Sequence, residues 1–237
     1  MSHPVLQLRL SADGNLIHIH QKTERIIESV IVSPHLIAPK DRPPLRLALV
    51  LDRSGSMSGE KLDYVKRAAL TVLDMLDDRD MVALVGYDNQ VRVYSPCVRL
   101  TNENKAMLKS AITEIQTGGM TNLSGGWLNG CRLIGEVLDS QSVNRCLLLT
   151  DGLANEGIVD VEELAYHAAE IFSRGVSTST FGVGHDYNER LLEAIANRGG
   201  GRYYFIGNVR DIQSIFIQEL EGLTNITARN IRMRVDL

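Results

Sequence analysis

Five residues of this chain carry oxygen chemistry at telling positions: Asp52, Ser54, Ser56, Thr121 and Asp151. The first three lie in the stretch Leu45-Arg46-Leu47-Ala48-Leu49-Val50-Leu51-Asp52-Arg53-Ser54-Gly55-Ser56-Met57-Ser58-Gly59, where an apolar run stops at an acid followed by two serines at steps of two. In an extended turn, residues i, i+2 and i+4 aim their side chains the same way. One carboxylate and two hydroxyls so aimed are hard donors, suited to Mg²⁺, Mn²⁺ or Ca²⁺. Asp151 closes a second apolar run, Leu147-Leu148-Leu149-Thr150-Asp151-Gly152, and Thr121 sits between the two in the glycine-rich segment Thr117 to Gly126. That segment lacks the terminal Gly-Lys-Ser/Thr of a phosphate-cradling loop and does not follow a strand, so a nucleotide site is not expected there.

These residues need elements to hold them together. The run Leu47 to Leu51 has no polar break, which suits a parallel strand covered by helices on both faces. Asp52 then stands at the strand's carboxyl end, where open α/β sheets place their ligands. Downstream, the apolar spacing predicts a helix from about Gly59 to Leu76 capped by Ser58, and a strand from Met81 to Tyr87. A strand from Val91 to Leu100 follows across the short Asp88-Asn89 turn, so that pair must be antiparallel. Tyr87 and Asp88 are expected at the surface of that turn. A helix capped by Thr101 or Asn102 runs to about Ile115, and another spans Leu123 to Leu138. Strand Arg145–Thr150, helix 161–173, strand Val176–Val183, helix 188–197, strand Arg202–Ile206 and helix 209–221 complete the βα alternation of a doubly wound sheet. If strand order reverses between the first and fourth strands, the loops bearing Asp52, Thr121 and Asp151 line one crevice.

Composition narrows the function classes. The 237 residues suffice for one large α/β domain with a small appendage, and 44% hydrophobic with 23% charged residues is ordinary for a globular protein. A formal net charge of -4 argues against a nucleic-acid-binding role, which wants a basic face. No apolar run approaches the ~20 residues that span a bilayer. Met1-Ser2-His3-Pro4-Val5 has no basic stretch ahead of an apolar one, so no secretory leader is read and a cytoplasmic location is expected. Cys97, Cys131 and Cys146 lack any C-x-x-C spacing and are read as reduced, buried thiols.

The combined pattern D-x-S-x-S, G-G-x-T-N-L and L-L-x-T-D-G, set in βα alternation, resembles a von Willebrand factor A domain over roughly residues 44–222. With its downstream Gly-Val-Gly-x-Asp-Tyr-Asn, the chain is similar to the bacterial members and to the heavy chains of the inter-alpha-trypsin inhibitor. The resemblance implies a six-stranded, Rossmann-like, mostly parallel sheet of order 3-2-1-4-5-6. It also implies a metal-ion-dependent adhesion site at Asp52, Ser54, Ser56, Thr121 and Asp151. Mg²⁺ or Mn²⁺ would be held directly by Ser54 and Ser56, with Thr121 direct or through water and the two acids acting largely through bound waters. Such an ion keeps an open position for a carboxylate, so the implied partner is a protein with an exposed Asp or Glu, and the implied role is binding rather than reaction. The competing reading is an accessory subunit of an ATPase-linked enzyme complex. A hydrolase fits less well. Phosphatases with an Asp after the first strand want a second acid where Ser54 stands, and no G-x-S-x-G is present. His185 lies near a strand end on the same rim, but His185-Asp186 reads as a loop with Asp186 capping the next helix above Glu189. Trp127, the single tryptophan, reads as core.

The two ends have a different character. Residues 5–33 alternate apolar and polar around the Asp13-Gly14-Asn15 turn and read as two or three antiparallel strands. His18 and His20 share a strand face there, but no third ligand has suitable spacing for zinc. Pro34 to Pro44 reads as a linker, and residues 224–237 as one more half-buried strand. The expected organisation is an N-terminal β segment over 1–43, the main domain over 44–222, and a C-terminal strand over 223–237 pairing back onto the first segment. Ile226, Ile231, Met233 and Val235 would contribute its packing face. Deleting residues 224–237 should therefore raise amide exchange within residues 5–33. Unchanged protection there would show that the two ends fold independently.

Overall fold

The computed structural model describes residues 7–12, 27–32 and 42–224. Four largely buried runs become the inner strands of a six-stranded sheet, because a strand covered on both faces buries successive side chains whichever way they point; the last of them, Ser177–Val183, opens on four hydroxyl residues. The four are β3 (Leu45–Asp52), β4 (Met81–Tyr87), β6 (Val143–Thr150) and β7 (Ser177–Val183), flanked at the edges by β5 (Val91–Arg99) and β8 (Tyr203–Ile206). The order is β5-β4-β3-β6-β7-β8, parallel throughout except for β5 against β4. It matches the expected 3-2-1-4-5-6 arrangement, with the reversal between β3 and β6.

Six helices cover the sheet: α1 (Glu60–Met75), α2 (Asn102–Glu114), α3 (Leu123–Gly135), α4 (Val161–Ser173), α5 (Glu189–Arg198) and α6 (Ile212–Thr224). Ala48, Val50, Val85 and Leu148 share one core with Trp127 of α3, Leu164 of α4 and Leu192 of α5. Leu47, Leu49 and Leu51 alternate to the other face and are equally buried. Across the strands Leu51 pairs Leu149 and Leu149 pairs Phe181, whose ring stacks on Phe216 of α6 at 4.3 Å. Trp127 is fully buried and donates its indole N–H to Thr178 Oγ1 at 3.1 Å, as a buried indole requires. The three cysteines are free and buried. Among the described residues no helix is long and apolar enough to cross a membrane.

Local expectations shift at the element ends. α1 is entered not from Ser58 but from Gly59, which makes no side-chain cap and adopts φ 77° after the 3-10 turn Gly55–Met57. A left-handed residue is needed to swing the chain from that turn into the helix, and glycine adopts it without strain. Asn188, not Asp186, caps α5, accepting the Leu191 N–H at 3.1 Å. α3 stops at Gly135 rather than Leu138, and α6 begins after a 3-10 turn and runs on to Thr224. Tyr87 and Asp88 are both buried, contrary to the surface placement expected of a hairpin turn. The Tyr87 hydroxyl donates to the Leu149 carbonyl at 3.0 Å across the sheet, and the glycine-rich segment folds over Asp88.

Separately from the main unit, Pro43–Thr224, β1 (Gln7–Ala12) and β2 (Ile27–Val32) form an antiparallel pair with Gln7 opposite Val32. This agrees with the antiparallel reading of the N-terminal runs. His18, His20 and the C-terminal residues Ile226, Ile231, Met233 and Val235 lie outside the described residues.

α3 owes its close seat on the sheet to glycine. A Cβ on Gly130 would come within 2.3 Å of Val50 Cγ2, and one on Gly126 within 2.5 Å of the Tyr87 ring. Alanine is the better helix former by about 1 kcal/mol. Gly130→Ala should nevertheless lower stability by about 1–3 kcal/mol in urea unfolding, since overpacking forces helix and strand apart. A stabilised variant would mean that α3 is not held this close.

Candidate functional site

The site forms where β3 and β6, adjacent and parallel, end in acids. Asp52 is the last residue of β3, and Asp151 follows the last residue of β6. Both are essentially inaccessible to solvent. Asp52 turns back on its own loop: one oxygen accepts the Ser54 N–H at 2.8 Å, and the other accepts the Thr150 hydroxyl at 2.5 Å. Neutral donors do not offset the loss of water, and burial pushes the Asp52 carboxyl up from 3.8 to about 6. Hydrogen bonds from Ser54 and Thr150 oppose that rise, and the charge of Asp151 adds slightly to it.

The serines continue the chain of contacts. Ser54 Oγ lies 3.1 Å from Ser56 Oγ, and Ser56 donates to Asp151 Oδ1 at 2.7 Å. Ser54 is buried and Ser56 exposed, so the line of hydroxyls leads from the sheet edge out to solvent. Thr121, also buried, enters from the segment before α3. A Cβ on Gly152 would sit 3.4 Å from Ser56 Oγ and 3.5 Å from Thr121 Oγ1, so both hydroxyls border the same small space beside Asp151. The structure thus brings all five sequence-derived residues to one rim. Among the described residues no three His, Cys, Asp or Glu side chains cluster as a metal-binding group. A cation here would depend on hydroxyl oxygens as much as on the two acids.

The loops are tied to each other by backbone. Gly118 N donates to the Arg53 carbonyl at 2.7 Å, and Gly55 N to the Gly119 carbonyl at 2.9 Å. Asp88 holds this seam from below, accepting the Gly119 N–H at 3.2 Å and pairing with Arg53 at 3.0 Å. A Cβ on Gly118 would lie 1.6 Å from Asp88 Oδ2, so the glycine allows an approach no other residue permits. On the far side, Asn155 accepts the Thr121 N–H at 2.9 Å and returns its own N–H to the Thr121 carbonyl at 3.2 Å.

Sequence reasoning missed four supporting residues. Thr150 lay within the quoted L-L-x-T-D-G pattern and Asp88 was seen only as a turn residue, while Asn155 carried no motif. Lys61 was missed altogether: its ammonium forms an ion pair with the second oxygen of Asp151 from the first turn of α1. Its only trace in the sequence is a cation in a helix turn whose other charges, Glu60 and Asp63, are acidic. His185, the one histidine weighed for this rim, instead lies with its ring 5.3 Å from that of Phe205.

Comparison with known proteins agrees with this fold. YfbK of Escherichia coli is 29% identical over 207 residues, covering 84% of this chain and 36% of the relative. Human inter-alpha-trypsin inhibitor heavy chain H3 is 28% identical over 189 residues, 76% of this chain and 21% of that protein. This chain therefore spans about a third or less of the length of these relatives. Among solved structures, a von Willebrand factor type A protein from Catenulispora acidiphila aligns with a TM-score of 0.73 at 21% identity, over 91% of this chain and 49% of that one. Mussel byssus proximal thread matrix protein 1, solved with a zinc-occupied MIDAS motif, aligns with a TM-score of 0.61 at 16% identity, over 76% and 48%. The family profile of the von Willebrand factor type A domain matches residues 47–218, and the chain belongs to that family.

Proposed function

We propose that this protein is a divalent-cation-dependent protein-interaction module whose rim docks an acidic side chain of a partner protein. Ser54, Ser56 and Thr121 would hold Mg²⁺ or Mn²⁺, with Asp52 and Asp151 acting largely through bound water. The observation that carries the reading is the pair of buried carboxylates at adjacent strand ends, joined through Ser54 and Ser56. The elevated carboxyl of Asp52 marks a buried acid in want of positive charge, and the donor set is all hard oxygen. When bound, such an ion supplies an electrophile that accepts a carboxylate. The zinc reported in the mussel protein's site supports a cation at the matching place, without fixing which ion this chain takes.

Docking is favoured over reaction by what surrounds the hydroxyls. Ser54 contacts Ser56 and Ser56 contacts Asp151, a pattern that orients ligands, and among the described residues no hydrogen bond joins either hydroxyl to an imidazole that could activate it. Met120, beside Thr121, and Leu153, two residues past Asp151, are 49% and 58% exposed. Large apolar side chains held in water on both loops of a polar site suit a partner surface.

Calorimetry with Mg²⁺ or Mn²⁺ should give one site, absent in Asp52→Ala. Equal thermal stabilisation by Mg²⁺ of wild type and Asp52→Ala would count decisively against the cation site. Partner capture from a source-cell lysate should be lost both in EDTA and with Asp52→Ala. Replacing Met120 and Leu153 by serine should keep the calorimetric site and reduce capture. Identical proteins retained with EDTA and with Mg²⁺ would refute metal-dependent docking even if the metal binds.

A further inference from the structure

We infer that, given the cation site proposed above, Lys61 is its third charged member, setting metal affinity against carboxylate affinity. Lys61 reaches Asp151, a residue ninety positions away, and pairs with the oxygen that Ser56 leaves free. Its side chain is 30% exposed while that of Asp151 is 0% exposed, so the ammonium bridges solvent and the buried acid. Lys61 is the second residue of α1, where the helix dipole disfavours a cation. Asp151 is the compensating partner that makes a lysine favourable at this position.

The charge balance gives the consequence. Asp52 and Asp151 together carry two negative charges when ionised, and Lys61 reduces the total to one. A divalent ion then leaves the site with a net positive charge, where without Lys61 it would leave it neutral. Lys61 therefore weakens binding of the metal alone, by repelling it and by occupying an oxygen of Asp151. It strengthens binding of the next ligand, because an incoming carboxylate finds a surplus charge to neutralise. Metal and acidic ligand become mutually reinforcing by reciprocal linkage. A lysine that served only to hold Asp151 in place would act in the opposite sense, since losing it would misplace the acid and weaken the metal.

Water-proton relaxation with Mn²⁺ reads both events, since the bound ion raises relaxivity and a carboxylate that displaces its water lowers it. Propionate, the side-chain analogue of glutamate, serves as the probe at constant ionic strength. Lys61→Met should bind Mn²⁺ at least about fivefold more tightly than wild type, and its Mn²⁺-loaded form should bind propionate at least about fivefold more weakly. Lys61→Arg, which keeps the charge, should behave as wild type in both titrations, and Lys61→Gln provides a second neutral variant should Met fail to fold. Equal or weaker Mn²⁺ binding in the neutral variants, or undiminished propionate binding, overturns the role of Lys61 alone. Absence of Mn²⁺ binding in wild type overturns the cation site and this role together.

Discussion

Two carboxylates buried side by side are the constraint on which this structure turns. Parallel pairing of β3 and β6 brings Asp52 and Asp151 out at the same end of the sheet, both removed from water. Burying an ionised acid without a compensating partner is costly, and the two acids here are compensated unequally. Asp151 has the Lys61 ammonium and the Ser56 hydroxyl. Asp52 has neutral donors in Ser54 and Thr150, which oppose but do not cancel the burial that pushes its carboxyl up to about 6. Strand pairing sets the two acids at one end of the sheet, and Lys61 from α1 creates this imbalance.

The neighbouring loops answer to the same constraint. Donors must stand within bonding distance of each acid, so the chain after Asp52, the segment before α3 and the turn after Asp151 are fastened to one another. The fastening is mostly backbone, as in Gly118 to Arg53 and Gly55 to Gly119, and it needs residues without side chains where the strands of the seam touch. Beneath it, Asp88 and Tyr87 are drawn out of solvent to satisfy loop N–H groups and a strand carbonyl. α3 then carries the Thr121 segment on a helix pressed against the sheet through Gly126 and Gly130. The hydroxyls thus stand on loops tied by backbone hydrogen bonds and on a closely seated helix, the support a preorganised polar site requires.

A shared fold by itself says little about what such a rim binds, since function resides in the site and its surroundings. Among the described residues this rim has a lysine reaching into it and Met120 and Leu153 standing exposed on its loops. These are features of individual side chains, which the fold alone does not fix.

Much of this was legible in the sequence. The apolar runs at residues 47–51 and 147–149 determined inner strands with an acid at or just past their carboxyl ends, because a strand covered on both faces buries successive apolar side chains. The short turn at Asp88-Asn89 determined an antiparallel β5, because so short a link cannot return the chain for a parallel strand. The combined pattern of acids, serines and glycine-rich threonine loop picked out five residues that the fold brings to one rim. The tertiary structure alone decided what lies between those landmarks. It set Lys61 on Asp151, buried Tyr87 and Asp88, and passed the start of α1 from Ser58 to Gly59. Each of these depends on segments brought together from far along the chain, or on the angle at which a helix must meet its sheet. Local residue preference does not encode such distances; the packing of the finished sheet does.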